Sequence, residues 1–164
     1  YFMGGVDNWF SPRYNFGRSI DFSQNYVFQT LATPMRGFVQ NIRNGTSFAV
    51  FNSELRIPVF RYLFNRPLRS DFLTNFQVVG FADVGTAWTG LTPYSEENFL
   101  NSETIEQGPI AVNLNTQVEP IVAGYGFGLR TRMLGYFVKA DWGWGWEDGV
   151  VRDSIFYISL GLDF

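Results

Sequence analysis

The sequence contains neither cysteine nor histidine. The lack of cysteine excludes a disulfide framework and thiolate chemistry, and the lack of histidine removes the common imidazole base and most zinc sites. A Ser-His-Asp hydrolase is therefore excluded within these 164 residues. We expect no enzymatic activity, no cofactor and no metal site.

Charged residues are scarce as well. They make up 16% of the chain, where an ordinary soluble domain has roughly a quarter, and the net charge is −3. A nucleic-acid partner is not expected, because its binding needs a basic surface. The acidic clusters lack the spacing of a calcium loop, so we interpret them as solvated outer surface. They are Glu96-Glu97, Glu103, Glu106 and Glu147-Asp148.

Long apolar runs are missing too. No segment approaches the roughly 18 consecutive apolar residues of a membrane helix, and the opening residues YFMGGVDNWF do not form a signal peptide. Aromatic residues, in contrast, reach 19%, while the mean hydropathy is near zero at −0.05. This combination fits a membrane β-barrel, whose strands alternate apolar with polar residues and therefore have a mean hydropathy near zero. A soluble β-sandwich is the alternative.

Alternation of apolar with small or polar residues is the main pattern present. Each alternating segment has about the 9–11 residues, or slightly more, with which a tilted strand crosses a bilayer, whereas soluble strands are nearer 5–6. We therefore predict an all-β fold, a transmembrane antiparallel β-barrel. Its five strands are predicted at 46–58, 76–88, 121–133, 136–146 and 155–164.

The two faces of these strands differ in character. In a membrane barrel the apolar face meets lipid and the polar or glycine-rich face lines the lumen. Glycines alternate with aromatics in GYGFG and WGWGW, which suits a crowded lumen. Residues 89–120 read as a long polar loop. Five strands cannot close a barrel, since bacterial barrels have about eight or more, so we interpret the chain as the C-terminal part of a larger barrel.

Several motifs occur in an order that resembles a known family. Together they resemble the C-terminal half of the barrel in the BamA/TamA/FhaC superfamily of outer-membrane proteins, also called the bacterial surface antigen family. The resemblance covers nearly the whole chain. The motifs are Gly4-Gly5, MRGF at 35–38, NSELRIPVF at 52–60, GFADVGTAW at 80–88, GYGFGLRTRM at 124–133 and the terminal SLGLDF.

This resemblance implies a barrel of about 16 strands, with residues 1–45 as an extracellular loop that folds into the lumen. In that family the arginine of an Arg-Gly-Phe tip pairs with acidic residues of the inner wall. By position these are Arg36, Gly37 and Phe38 at the tip, and Glu54 and Asp83 on the wall. The alternation independently places both acids on the lumen face.

One departure from the family pattern leaves an alternative open. About thirty residues separate Gly4-Gly5 from Arg36, where the family has only a few. Arg36 is then a solvated loop charge, while Glu54 pairs with Arg56 or Arg130 and Asp83 supplies generic polarity.

The resemblance also implies a function. The protein would be an insertase or translocase in the outer membrane of a Gram-negative bacterium, with outer-membrane lipids, substrate outer-membrane proteins, possible accessory lipoproteins and the N-terminal part of the same barrel as partners. A barrel anchor or porin-like channel that serves a separate upstream domain is the alternative. The last strand would form one lip of a lateral seam and carry the C-terminal signal, through Phe156, Ile158, Leu160, Gly161, Leu162 and Phe164.

Overall fold

A computed structural model describes residues 1–5, 30–39, 41–64, 70–95, 98, 101, 103–107, 110–114 and 118–161. These residues lie mostly in strands, with two short helices, so the predicted all-β class is confirmed. Within this described part, no helix combines the length and the apolar character needed to cross a membrane.

Three short strands open the chain and form a small sheet of their own. They are β1 (Phe2–Gly4), β2 (Leu31–Pro34) and β3 (Arg43–Asn44), in the order β2-β1-β3. Strand β2 runs parallel to β1, and β3 runs antiparallel to it. The small sheet therefore joins two segments that are far apart in sequence.

The main sheet contains five long antiparallel strands. In chain order, β4 (Ser47–Ile57) is followed by the helices α1 (Val59–Leu63) and α2 (Asp71–Thr74) and then by β5 (Gln77–Trp88). After a hairpin of β6 (Glu103–Gln107) and β7 (Ile110–Leu114) come β8 (Val122–Met133), β9 (Tyr136–Glu147), β10 (Val150–Val151) and β11 (Ile155–Gly161). The long strands pair in the order β4-β5-β8-β9-β11, and β10 also pairs with β9.

The bounds of the long strands lie close to the predicted segments, and the last predicted strand continues to Gly161 before residues 162–164, which lie outside the described part. The connections differ more. The predicted polar loop at 89–120 contains the hairpin of β6 and β7. Its sequence, ETIEQGPIAVNL, has a Gly-Pro turn signal between two short segments, which the overall polarity of the loop concealed.

The register places all charges of the five long strands on one face. Directly paired residues of neighbouring strands share a face, and one such row is Asn52, Asp83, Gly124 and Gly145. We call the face that contains this row the inner face and the opposite one the outer face. The charged residues of the long strands, all on the inner face, are Glu54, Arg56, Asp83, Arg130, Arg132, Lys139, Asp141 and Glu147.

The outer face of the same strands carries no charged residue. Large apolar side chains stand exposed along it from the first long strand to the last. Those at least a third exposed include Phe51, Leu55, Ile57, Val84, Tyr125, Phe127, Trp146, Ile158 and Leu160.

A small apolar core attaches the small sheet to the inner face. Met3, from β1, and Met35 and Phe38, which follow β2, pack with residues from the two sheets. Since all of these side chains are at least nine-tenths buried, this core fixes the segment 30–39 above the main sheet. The remaining members are Ile42, Ala87 and Val122, with Val50 packed against them.

Candidate functional site

The residues Met35 to Phe38, which we call the loop tip, lie beside Gly4-Gly5 in spite of the long insertion between them. The Met35 amide donates to the Gly4 carbonyl at 2.7 Å, and the Gly5 amide donates to the Val39 carbonyl at 3.2 Å. Parallel pairing of β1 with β2 therefore places the tip next to Gly4-Gly5, although a long insertion separates them in sequence. Residues 6–29 themselves lie outside the described part.

The side chain of Arg36 is held by two carboxylates of the inner face. Its Nε donates to Asp83 Oδ2 at 2.8 Å, its Nη2 to Asp83 Oδ1 at 2.7 Å, and its backbone amide to Asp83 Oδ2 at 3.2 Å. Its Nη1 donates to Glu54 Oε1, and its guanidinium lies 3.8 Å above the Phe81 ring. Asp83 is fully buried, so this is a bidentate, desolvated pair of the kind that arginine forms and lysine cannot.

The structure brings the tip arginine and both predicted acids together, and the side chain of Arg36 is only 12% exposed. Part of the alternative also occurs, because Glu54 Oε2 accepts from Arg56 Nη2 at 2.7 Å. Arg130 Nη2 lies 3.7 Å from Glu54 Oε1, while Arg130 itself makes a two-pronged pair with Asp141. Glu54 therefore bridges the tip to a charge network that continues across the inner face.

Glycines of the inner face allow the backbone of the tip to rest directly on the strands. A Cβ atom at Gly124 would overlap the Arg36 carbonyl oxygen, and Cβ atoms at Gly143 and Gly145 would lie 2.8 Å from the Gly37 amide nitrogen and 2.6 Å from the Gly37 carbonyl oxygen. Gly37 has a φ of 91°, a conformation that other residues rarely adopt. The glycines of the inner face therefore leave the space that the backbone of the tip occupies.

Tyr157, on β11, is a third element of the site that sequence reasoning missed. Its hydroxyl donates to the Phe38 carbonyl at 2.6 Å and accepts from the Gly37 amide at 3.1 Å. Tyr157 is 8% exposed, so its hydroxyl satisfies two backbone groups of the tip in a place that is shielded from water. No motif marks this tyrosine, and only its position on the polar face of the last strand gave a signal.

A second buried arginine lies nearby, in a set of contacts that we call the Arg43 cluster. Arg43 Nη1 donates to Glu147 Oε1 at 2.6 Å, Nη2 to the Glu119 carbonyl at 2.9 Å, and Nε to the Pro120 carbonyl at 3.3 Å. Glu147 Oε2 also accepts from Arg152 Nε at 2.6 Å. The interpretation of Glu147 as solvated was therefore wrong, because its position on β9 points it to the inner face, where β3 brings Arg43.

Removing the carboxylate of the Arg43 cluster should destabilise the fold strongly. In Glu147→Ala the guanidinium of Arg43, 3% exposed, loses its counter-charge in a buried place. We expect the free energy of unfolding to fall by roughly 3–5 kcal/mol, measured by urea unfolding in detergent. Arg152→Ala is the matched control, because the side chain of Arg152 is 43% exposed. This substitution should lower the free energy of unfolding by about 1 kcal/mol or less. Equal losses in the two variants would contradict this interpretation.

The predicted seam residues occupy the last strand. Phe156, Ile158 and Leu160 lie on the outer face, and Gly161 ends β11 opposite Phe137. The far edge of β11 has no strand partner within the described residues, and neither has the far edge of β4. Two further members of that set lie outside the described part, Leu162 and Phe164.

No protein-family model matches the chain, and neither the curated proteins nor the solved structures contain a match. The fold and the site define an all-β protein with an antiparallel main sheet, whose inner face holds a loop tip by charge pairing and backbone contact. The arrangement suits structural attachment of the tip, because its Arg36 binds two carboxylates, its backbone rests on glycines and its Phe38 carbonyl accepts from one phenol.

Proposed function

We propose that the chain forms part of a transmembrane β-barrel in the outer membrane of a Gram-negative bacterium, and that this barrel acts as an insertase or translocase for proteins. The observation that carries the membrane part is the charge-free outer face. Its apolar side chains are widely exposed, with Phe51 at 71%, Leu55 at 67% and Leu160 at 70%. A bilayer is the solvent in which such a face is stable.

The distribution of charge also argues against a soluble sandwich. In a sandwich the apolar face would be covered by a second sheet and the charged face would meet water. Here the tip and the chain around it cover part of the charged face, where Asp83 is 0% and Arg130 3% exposed. An apolar surface that spans five strands would be far larger than the patches of ordinary soluble monomers.

The edges of β4 and β11 that have no strand partner within the described residues support a larger barrel. In lipid every backbone N–H and C=O group needs a partner, so an open sheet edge is not stable there. Further strands are therefore needed beside β4 and β11, and the resemblance supplies them from a barrel of about 16 strands. In that arrangement β11 would meet the first strand of the barrel at a lateral seam.

The insertase part rests on the motif order together with the held tip. With the tip fixed on the inner face, lateral opening of the barrel would take place at the seam, where β11 has its unpaired edge within the described residues. A substrate strand could pair with the exposed edge of β11, and burial of its apolar face in lipid would supply the free energy. No covalent chemistry is needed, and the partners are outer-membrane lipids, substrate proteins and accessory lipoproteins.

Depletion of the protein in its host tests this function. We expect several unrelated outer-membrane barrels to decline together, since they would share one insertion route, and quantitative proteomics of isolated outer membranes would measure the decline. Complementation with the wild-type protein should restore them. If those barrels persist at normal levels while the outer membrane lacks the protein, the insertase function is wrong, and the barrel anchor or channel takes its place.

A further inference from the structure

The connection between β4 and β5 carries a second exposed apolar surface that the proposed barrel does not use. We call its described parts, residues 58–64 and 70–76, the aromatic connector. They hold the two short helices α1 and α2. The exposed side chains are Tyr62 at 76%, Leu63 at 69%, Phe64 at 48% and Phe72 at 40%.

Aromatic rings give this connector an internal structure. Phe60 and Phe76 have ring centroids 5.1 Å apart, Phe72 and Phe76 5.8 Å, and Phe60 and Phe64 6.1 Å. These spacings are those of favourable aromatic pairs. The rings link α1 to the segment after α2, so the connector is a packed element and the exposure of Tyr62 and Leu63 belongs to its folded form.

The connector bends towards the outer face of the sheet. The Thr131 hydroxyl donates to the Phe72 carbonyl at 3.0 Å, and Thr131 shares a face with Phe127 and Leu129 of the same strand, away from the charged residues. The connector therefore contacts the outer face at β8, and the exposed Leu55 and Ile57 lie on the same face of β4, directly before the connector in the chain. The environment that covers the connector must therefore also suit the outer face of the sheet.

We propose that the aromatic connector lies in the boundary between phospholipid headgroups and acyl chains, as an interfacial anchor at one end of the sheet. This inference rests on the proposed membrane location of the outer face. Aromatic side chains favour that boundary, and a basic side chain such as exposed Arg61 can extend from it to the phosphates. The connector would set the depth at which this end of the sheet sits in the bilayer.

Fluorescent labels on single cysteines test this depth directly, because these 164 residues contain no cysteine, and any cysteine in the rest of the protein is first replaced by serine. The variants Leu63→Cys, Leu160→Cys and Leu91→Cys carry the same nitrobenzoxadiazole label in the whole protein, reconstituted into phosphatidylcholine–phosphatidylglycerol vesicles. Leu160 marks the outer face, and Leu91, 96% exposed, marks a loop at the opposite end. Quenching is measured with iodide in water and with nitroxide lipids labelled near the headgroup or in mid-chain.

We expect the label at Leu63 to be quenched most by the headgroup-proximal nitroxide, with an iodide quenching slope several-fold lower than at Leu91. The label at Leu160 should respond to lipid nitroxides. If the label at Leu160 responds to lipid while the label at Leu63 behaves like that at Leu91, the anchor is refuted and the membrane location stands. If iodide quenches both Leu160 and Leu63, the membrane location fails as well. Protection of Leu63 that disappears as protein is diluted in excess lipid would assign the surface to a second copy and also refute the anchor.

Discussion

Replacing Asp83 with alanine should lower the free energy of unfolding by roughly 3–5 kcal/mol, because it leaves the guanidinium of Arg36 largely buried without its bidentate partner. Three hydrogen bonds from Arg36 end on this carboxylate, and the carboxylate itself is fully buried. Urea unfolding in detergent, followed by the loss of the fast-migrating folded band on electrophoresis, would measure the effect.

A double-mutant cycle makes this prediction specific to the pair. Arg36→Ala should also be destabilising, and the double variant should lose clearly less than the sum of the two single losses, since both remove the same interaction. Arg36→Lys keeps the positive charge but cannot form the two-pronged contact, so it should fall between the wild type and Arg36→Ala. Additive losses for Arg36→Ala and Asp83→Ala would show that the two residues act independently.

A further effect, on both stability and proteolysis, is expected from a single methyl group under the tip. In Gly124→Ala the new Cβ atom would overlap the carbonyl oxygen of Arg36, so the tip must lift from the strands or the strand must shift. Overpacking of this kind costs about 1–3 kcal/mol or more. Because the backbone of the tip would lose its contact with the strands, we also expect faster proteolysis of the segment that contains Arg36. Limited trypsin digestion and mass spectrometry would measure the rate.

Gly80 provides the matched control for this methyl group. It is also a strand glycine, but a Cβ atom there would have no neighbour within 4 Å, and it lies on the outer face of β5. Gly80→Ala should therefore leave stability and trypsin cleavage close to those of the wild type. Equal effects at Gly124 and Gly80 would mean that strand glycines matter for a reason other than contact with the tip.

The main sheet could be predicted closely because its signal is local. Successive residues of a strand point to opposite faces, so alternate residues share a face, and the parity of Glu54 and Asp83 in the sequence already placed both carboxylates on the polar face. The hairpin of β6 and β7 was missed for the opposite reason, since two short strands inside a polar segment show too little alternation to stand out.

The site could be predicted only in part. The motif order pointed to Arg36 and its two acids, while Tyr157 and the Arg43 cluster had no comparable signal. Arg43 and Glu147 are 104 positions apart, and each looks like an ordinary surface charge in its own segment. Their pairing depends on how β3 lies over the end of β9. The sequence of either segment alone does not indicate this position.

The sequence by itself determined the all-β character, the five long strands and the separation of charged from apolar faces, because these follow from residue type and the two-residue period of a strand. Only the tertiary structure decided which charges meet. Parallel pairing of β1 with β2 brings Gly4-Gly5 to the tip across the insertion, and strand register places Gly124 opposite Asp83 and Gly145. These contacts are set by the path of the chain in space, since an ion pair or a backbone contact requires atoms a few ångströms apart whatever their separation in sequence.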